Sequence, residues 1–560
     1  MIRTRESRPI FVVVEWILVG LIVIWFSRFA YRSGGVVWGS DILNYLEAGL
    51  GHITDPFIVN RYTHVYALRL ASILAGNTLR GMHLYSGIAG GLTLFLTYFS
   101  ARRLTRESSV FNGLIAGLLL LTVPLLVRFV LAPSVDTTLM VVVLAFIALY
   151  VQFTREGQSG PGLVVGMGIL FILAIRTKEV AWVLLVLLPG LGVANGGNFK
   201  WTSLWNHLRY FIVGSAIGIM VMIVANSVFV NTPLFGLRPS DIMTHWDIWS
   251  GIIGTTTKPA STIYQLLLVD NGLLFVLFAI AGLWFGSSIP KATRLLWLFP
   301  LLLMGFLMIG TTRVEWTIVP RGFLSGLAAM SVLASNVFAV RIPPHRRSIQ
   351  MSIVALAISI GCALYGQFTK GELLFARYFE LALAIVLLGL VLMLMIFFQD
   401  REQSGWATFV LLLAFTGYSA WLNLPSVASE LEASGYRSRF ALPLSLQDRI
   451  DISSPFVAYV SRSALKGARA ANPDELAGIF NVALDGQTVS ADYQIGTVGE
   501  PLIVAMEGPG YKYVIVTSSD WDWLRTAPQD RPQWRGKYEA FEEPSGRYVL
   551  LTLKAESSSD

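Results

Sequence analysis

Apolar runs long enough to cross a bilayer recur through the first 424 residues of this chain, and most of them end in arginine or lysine. A hydrocarbon core about 30 Å thick asks for about 20 apolar residues in a helix. Lipid offers the backbone no hydrogen-bonding partner, so such runs must satisfy themselves internally as helices. Hydrophobic residues make up 54% and charged residues only 14% of the 560 positions, which excludes a soluble globule. The expected fold class is an α-helical polytopic membrane protein. The first run, Ile10–Trp25, is too long and lacks the small-residue cleavage site of a removed signal peptide. The one cysteine, Cys362, sits in an apolar run, so neither a disulfide nor a cysteine-built metal site is expected. The formal charge of +7 requires no nucleic acid, because basic residues facing membrane lipids account for it.

Charge placement orients the runs. Arg3, Arg5 and Arg8 before the first span put the N-terminus in the cytoplasm by the positive-inside rule. A first outer loop, about 32–81, contains a short amphipathic piece, Val65–Ala75, expected to lie at the interface. A second span, about 82–100, ends in ARRLTR (101–106) on the inner side. A third, about 110–131, turns at APSVD (132–136), and a fourth returns by about 153. The fifth and sixth, about 161–175 and 180–194, flank an outer RTKE turn (176–179). The seventh, about 210–230, opens a long outer loop with Arg238, Asp241, His245, Trp246, Asp247 and Trp249. Six more spans follow, with RIPPHRR (341–347) as the strongest inner anchor. About thirteen crossings place the C-terminus outside a plasma (inner) membrane.

From 425 onward the pattern changes to short β-branched runs separated by turn residues: PFVAYV (455–460), PLIVAM (501–506), YKYVIVTS (511–518) and GRYVLLTL (546–553). DELAGIFNVAL (474–484) reads as a helix. The expected division is a transmembrane domain over 1–424 and a small extracytoplasmic α/β domain over 425–560.

Ionisable residues near hydrocarbon are costly and commonly mark a site. The outer helix ends hold many of them. Asp41 follows the first span, with Arg61 and His64 later in that loop. Asp136 lies in the turn after the third, Lys178 and Glu179 sit between the fifth and sixth, and Arg313, Glu315 and Arg321 stand between the ninth and tenth. The inner loops are simply basic. Carboxylates can accept protons or hold a hard cation, while Arg and Lys beside them can hold phosphate.

These residues resemble a known family, the integral-membrane glycosyltransferases of the C-type fold, near the protein mannosyltransferase and lipid A aminoarabinose transferase group. Asp41 with Tyr45 is similar to the family's first-loop Asp, and Pro133 with Asp136 to its second motif. GMGILFILAIRTKEVAWVLL (166–185) resembles the family's span ending in a Lys-bearing turn, and VPRGFLSGLAAM (319–330) its outer Arg. The sequence departs from the pattern where Ile42 follows Asp41 and where NRYTHVY (60–66) replaces a Pro-rich stretch.

The resemblance implies transfer of a sugar from a polyprenyl-phosphate donor to a lipid, glycan or protein acceptor on the extracytoplasmic face. Attack at the anomeric carbon is oxocarbenium-like, and a carboxylate on the far face can activate the attacking group; Asp41 is the expected base. Charge develops on the leaving phosphate, so fixed cations belong there, with Arg61, Lys178 and Arg321 as candidates. Asp136 would orient a sugar, an acceptor or a cation, and Tyr45 would contact substrate. A divalent cation stays open, with His64, Glu179 and His245 as ligand candidates. A transporter or flippase, or a non-catalytic scaffold, is the alternative; the absence of a repeat and the one-sided charges argue against the first, and a scaffold would not need acids and bases at four separate outer turns.

Overall fold

The computed structural model describes residues 9–34, 45, 61–76, 80–104, 110–121, 123–155, 160–196, 198–229, 231–234, 236–238, 292–303 and 320–335. In the C-terminal part it describes 449, 458–461, 495–496, 513–526, 536–544, 546 and 548–554. Helices dominate the first of these groups. They are α1 (Pro9–Ser33), α2 (Tyr62–Leu74), α3 (Arg80–Arg103), α4 (Val110–Leu121), α5 (Pro124–Leu131), α6 (Val135–Thr154), α7 (Pro161–Ile175), α8 (Trp201–Phe229) and α9 (Leu324–Ala334).

Among the described residues four helical stretches are long and apolar enough to cross a membrane: Trp16–Ser33 in α1, α3, α6 and α8. Their burial separates centre from rim. Four-fifths of α6 is buried (78%), against 17% for the α1 stretch and 28% for α8. Leu139, Met140, Val143, Leu144 and Ile147 of α6 pack with Leu119 and Leu120 of α4 and with Leu327 and Val332 of α9. On the rim, Ile212, Val213, Met220, Val224 and Val228 of α8 and Ile17, Leu21 and Ile24 of α1 are exposed. An apolar outer face is what a helix bordering lipid presents.

Two expected spans take other forms. The third, 110–131, is two helices rather than one, because Pro124 starts α5 at its first turn and cannot donate the backbone bond that would continue α4. The sixth is a 3-10 helix, Glu179–Gly196, with Pro189 inside it. At about 2.0 Å rise per residue, 3-10 winding carries its 18 residues further than an α-helix of equal length. The piece expected at the interface forms α2, whose Leu68, Ala71 and Ser72 are buried while Leu70, Ile73 and Leu74 are exposed. Helices α7 and α8 cross at glycine: a Cβ on Gly168 would meet the Phe211 carbonyl oxygen at 2.2 Å, and one on Gly214 the Val165 oxygen at 2.0 Å. Small residues at a membrane helix crossing let backbones approach in this way.

The two ends of the bundle differ chemically. At one end Arg103 donates to Gln152 Oε1 (2.7 Å), Arg102 lies over the Trp16 ring, and Arg155 ends α6. The other end, a 20-residue helix or about 30 Å away, gathers α2, the start of α6 and the 176–179 turn.

The C-terminal part holds a five-stranded sheet: β1 (Ala458–Ser461), β2 (Ile495–Gly496), β3 (Tyr513–Thr517), β4 (Tyr538–Glu542) and β5 (Tyr548–Leu553), in the order β2-β1-β3-β5-β4. β1 pairs in parallel with β2 and β3, whereas β5 pairs antiparallel with β3 and β4. Helix α10 (Ser518–Thr526) contributes Leu524 to a core with Val514, Val516, Tyr538, Val549 and Leu551. β1, β3 and β5 coincide with three of the expected strands. β4 was not expected, since its YEAFE sequence carries two glutamates on an exposed pattern. The expected strand 501–506 and helix 474–484 lie outside the described residues.

Candidate functional site

The charged end is assembled from segments distant in sequence. Pro133 and Ser134 stop α5's direction, and Ser134 caps α6 by accepting from the Thr137 amide. That cap places Asp136 in the first helical turn, where the helix dipole favours a negative charge. Asp136 is 3% exposed, and Lys178 Nζ donates to its Oδ1 at 2.6 Å. Lys178 arrives from the turn that ends α7, held by the Lys178 amide bonding to the Ala174 carbonyl.

A second ion pair lies on the same turn. Arg61, immediately before α2, donates through Nη1 to Glu179 Oε2 at 2.9 Å and to the Thr177 carbonyl at 3.3 Å. Its side chain is 5% exposed. Burial acts to lower the guanidinium pKa, but Glu179, then Tyr45 and Asp136, outweigh it and leave the pKa raised. Arg61 therefore stays a fixed cation.

The rest of the 60–66 segment docks residue by residue. Tyr62 lies under the Arg176 guanidinium, 4.8 Å from the ring centroid. Thr63 donates to the Leu173 carbonyl at 2.8 Å. The Tyr66 hydroxyl bonds to Asn226 near the end of α8. His64 is fully buried, with Nδ1 2.7 Å from Thr138 Oγ1 and its ring edge-on to Tyr45 (5.0 Å) and Tyr85 (5.6 Å). Burial, with Arg61 adding to it and Asp136 opposing, pushes the imidazole down to about 3, so His64 is neutral near pH 7.

Of the residues singled out in the sequence, the structure thus brings together Tyr45, Arg61, His64, Asp136, Lys178 and Glu179. Arg321 lies in the short 3-10 turn Pro320–Phe323 that leads into α9; its side chain is outside the described set. Asp41, His245, Trp246, Trp249, Arg313 and Glu315 also fall outside the described residues. Among the described residues no three His, Cys, Asp or Glu side chains gather in a metal-binding group, and Glu179 is engaged by Arg61. The sequence reading missed Tyr85, Thr138 and Arg176. Thr138 and Arg176 stand two residues from Asp136 and Lys178, which was the available signal.

The family model for dolichyl-phosphate-mannose-protein mannosyltransferase matches residues 62–227, a segment that contains His64, Asp136, Lys178 and Glu179. The crystal structure of ArnT from Cupriavidus metallidurans bound to undecaprenyl phosphate superposes with a TM-score of 0.51 at 15% identity, over 98% of this chain and 99% of that one. The chain has the fold of the C-type membrane glycosyltransferases. The apo state of the same ArnT gives a TM-score of 0.51 at 15% identity, over 97% of this chain and 98% of that one. The archaeal oligosaccharyltransferase AglB from Archaeoglobus fulgidus, in complex with an inhibitory peptide and a dolichol-phosphate, gives 0.41 at 12% identity over 97% and 74%. No curated protein matches the chain by sequence. The C-type resemblance read from the sequence is shown at the level of fold, and the chain is a membrane protein by its fold and its apolar helices.

Proposed function

We propose that this protein is a membrane glycosyltransferase that moves a sugar from a polyprenyl-phosphate donor to an extracytoplasmic acceptor at the charged end of the bundle. The observation that carries the reading is the pair of neighbouring ion pairs, Lys178–Asp136 and Arg61–Glu179. They gather two cations and two carboxylates around the 176–179 turn of a fold whose other end is basic. The fold and the matched family supply the reaction class; the charges supply its chemistry.

Breaking the bond between the anomeric carbon and a lipid phosphate loads negative charge on the phosphate. Preorganised cations are most effective where that charge develops, in a partly dehydrated site. Lys178 and Arg61 answer this need, with Arg321 as a third. In the resting state each of the first two is neutralised by a carboxylate, and an incoming phosphate competes for them. Asp136, as it yields Lys178, is free to hold a sugar or acceptor hydroxyl.

Asp41 is assigned the general base. Tyr45 follows it by four positions, so connectivity alone keeps the two Cα atoms within about 14 Å. Tyr45 itself lies against His64. The proposed arrangement has residues 1–424 carrying out transfer, the N-terminus in the cytoplasm, and the α/β part of 425–560 outside.

The test is Asp41→Asn. Asn keeps size and a hydrogen-bonding oxygen but cannot accept a proton from the attacking group, so transfer should fall about 10²–10⁴-fold with the melting temperature unchanged. Transfer from an undecaprenyl-phosphate sugar at near wild-type rate would remove Asp41 from the mechanism.

A further inference from the structure

We propose that His64 recognises the transferred sugar, its Nε2 accepting a hydrogen bond from a hydroxyl or amine of that sugar. The proposal deepens the transferase reading and rests on it.

His64 Nε2 is buried and has no hydrogen-bond partner. Buried polar atoms are nearly always paired in native proteins, and an exception calls for an explanation such as an absent ligand. The other buried atoms in that condition include the helical hydroxyls of Ser72, Thr97, Ser100 and Ser325 and the indole nitrogen of Trp297, which lies away from the charged end. A helical hydroxyl can rotate toward the carbonyl one turn back; an imidazole nitrogen has no such recourse.

The neighbouring hydrogen bonds decide what Nε2 can do. The Tyr85 hydroxyl donates to the Ser134 carbonyl at 3.3 Å and also meets Thr138 Oγ1. With its proton on Ser134, Tyr85 accepts the Thr138 proton. Thr138 Oγ1 must then accept from His64 Nδ1–H, 2.7 Å away. In a neutral ring that leaves the Nε2 lone pair bare. In that arrangement the chain Ser134–Tyr85–Thr138–His64 presents an acceptor, where the two adjacent ion pairs present charges.

Flanking aromatics fit a sugar. Tyr45 and Tyr85 stand edge-on to the imidazole on separate segments. Tyr85 is pinned through its hydroxyl. Anchoring through Nδ1 alone leaves the buried Nε2 unaccounted for.

The two side-chain amides separate these roles. His64→Asn keeps a group at the Nδ1 position and loses the reach of Nε2, while His64→Gln does the reverse. Binding to the full-length protein in nanodiscs would be measured for bare undecaprenyl phosphate and for undecaprenyl phosphate bearing a hexose, a pentose or an amino-pentose. We expect wild type to prefer one sugar-bearing donor over the bare carrier. His64→Asn should bind the bare carrier normally and the preferred donor about tenfold more weakly, the weight of one hydrogen bond. His64→Gln should keep the preference. Deoxygenated or deaminated analogues of that donor give an arm on the unaltered protein: removal of one particular hydroxyl or amine should cost the same factor. Unchanged preference in both variants, the reverse order, or equal sensitivity to every analogue would overturn the assignment while leaving the transferase reading intact. Failure of wild type to bind any undecaprenyl phosphate would overturn both.

Discussion

The Lys178–Asp136 pair makes the energetics of the site measurable. Asp136 is 3% exposed and Lys178 18%, so removing the lysine strands a carboxylate with almost no water. Breaking a buried pair from one side costs about 3–5 kcal/mol. Asp136 retains the amides of the first turn of α6, and that helix-terminal support offsets about 0.3–1 kcal/mol. Lys178→Met should therefore destabilise by about 2–4 kcal/mol. Asp136→Leu strands only a lysine that can extend toward solvent, and should cost less. The double variant exchanges a desolvated pair for apolar contact and should lie closer to wild type than Lys178→Met does. Thermal and denaturant unfolding of the four proteins in one detergent forms the cycle. Additivity of the two single effects within about 0.5 kcal/mol would refute a coupled buried pair.

Other outcomes follow from the same geometry. His64 is held near 3 when folded, against 6.5 for an exposed imidazole. Between those values the unfolded chain binds a proton that the folded protein refuses, so stability falls as pH drops below 6.5, by about 1.4 kcal/mol per pH unit. Melts of wild type and His64→Asn from pH 7 to 4.5 should diverge by that slope, and parallel curves would contradict it. For topology, in a Cys362→Ser background, reporters His345→Cys and Asp520→Cys should label from opposite sides of the membrane. Labelling of both from one side would overturn the proposed placement of 425–560.

Local sequence carried much of this architecture. Helices α3, α6, α7 and α8 follow apolar runs closed by Arg103, Arg155, Arg176 and a preceding Lys200, because lipid leaves such runs one economical conformation. The turns at 132–136 and 176–179 were equally visible. The break at Pro124 had its signal in the residue itself, yet the apolar run masked it. Strand β4 was hidden because its glutamates face outward. The site was legible only as a roster: Arg61, His64, Asp136, Lys178 and Glu179 could be picked out as charged or titratable groups near one surface. Their pairing could not, since Arg61–Glu179 and Lys178–Asp136 join segments 118 and 42 residues apart and depend on how α2, α6 and α7 pack. Tyr85 was missed for the same reason; inside α3 it looks like any core aromatic until Thr138 is placed against it.

If the charged end of the bundle receives a lipid phosphate, a cryo-EM structure of the wild-type protein with undecaprenyl phosphate should show it there. The phosphate should lie within about 3–4 Å of the Arg61 and Lys178 side chains, at charge-assisted hydrogen-bond or ion-pair distance, with the Lys178–Asp136 contact lengthened. A phosphate bound instead beside Arg102, Arg103 and Arg155, with both ion pairs intact, would contradict that placement.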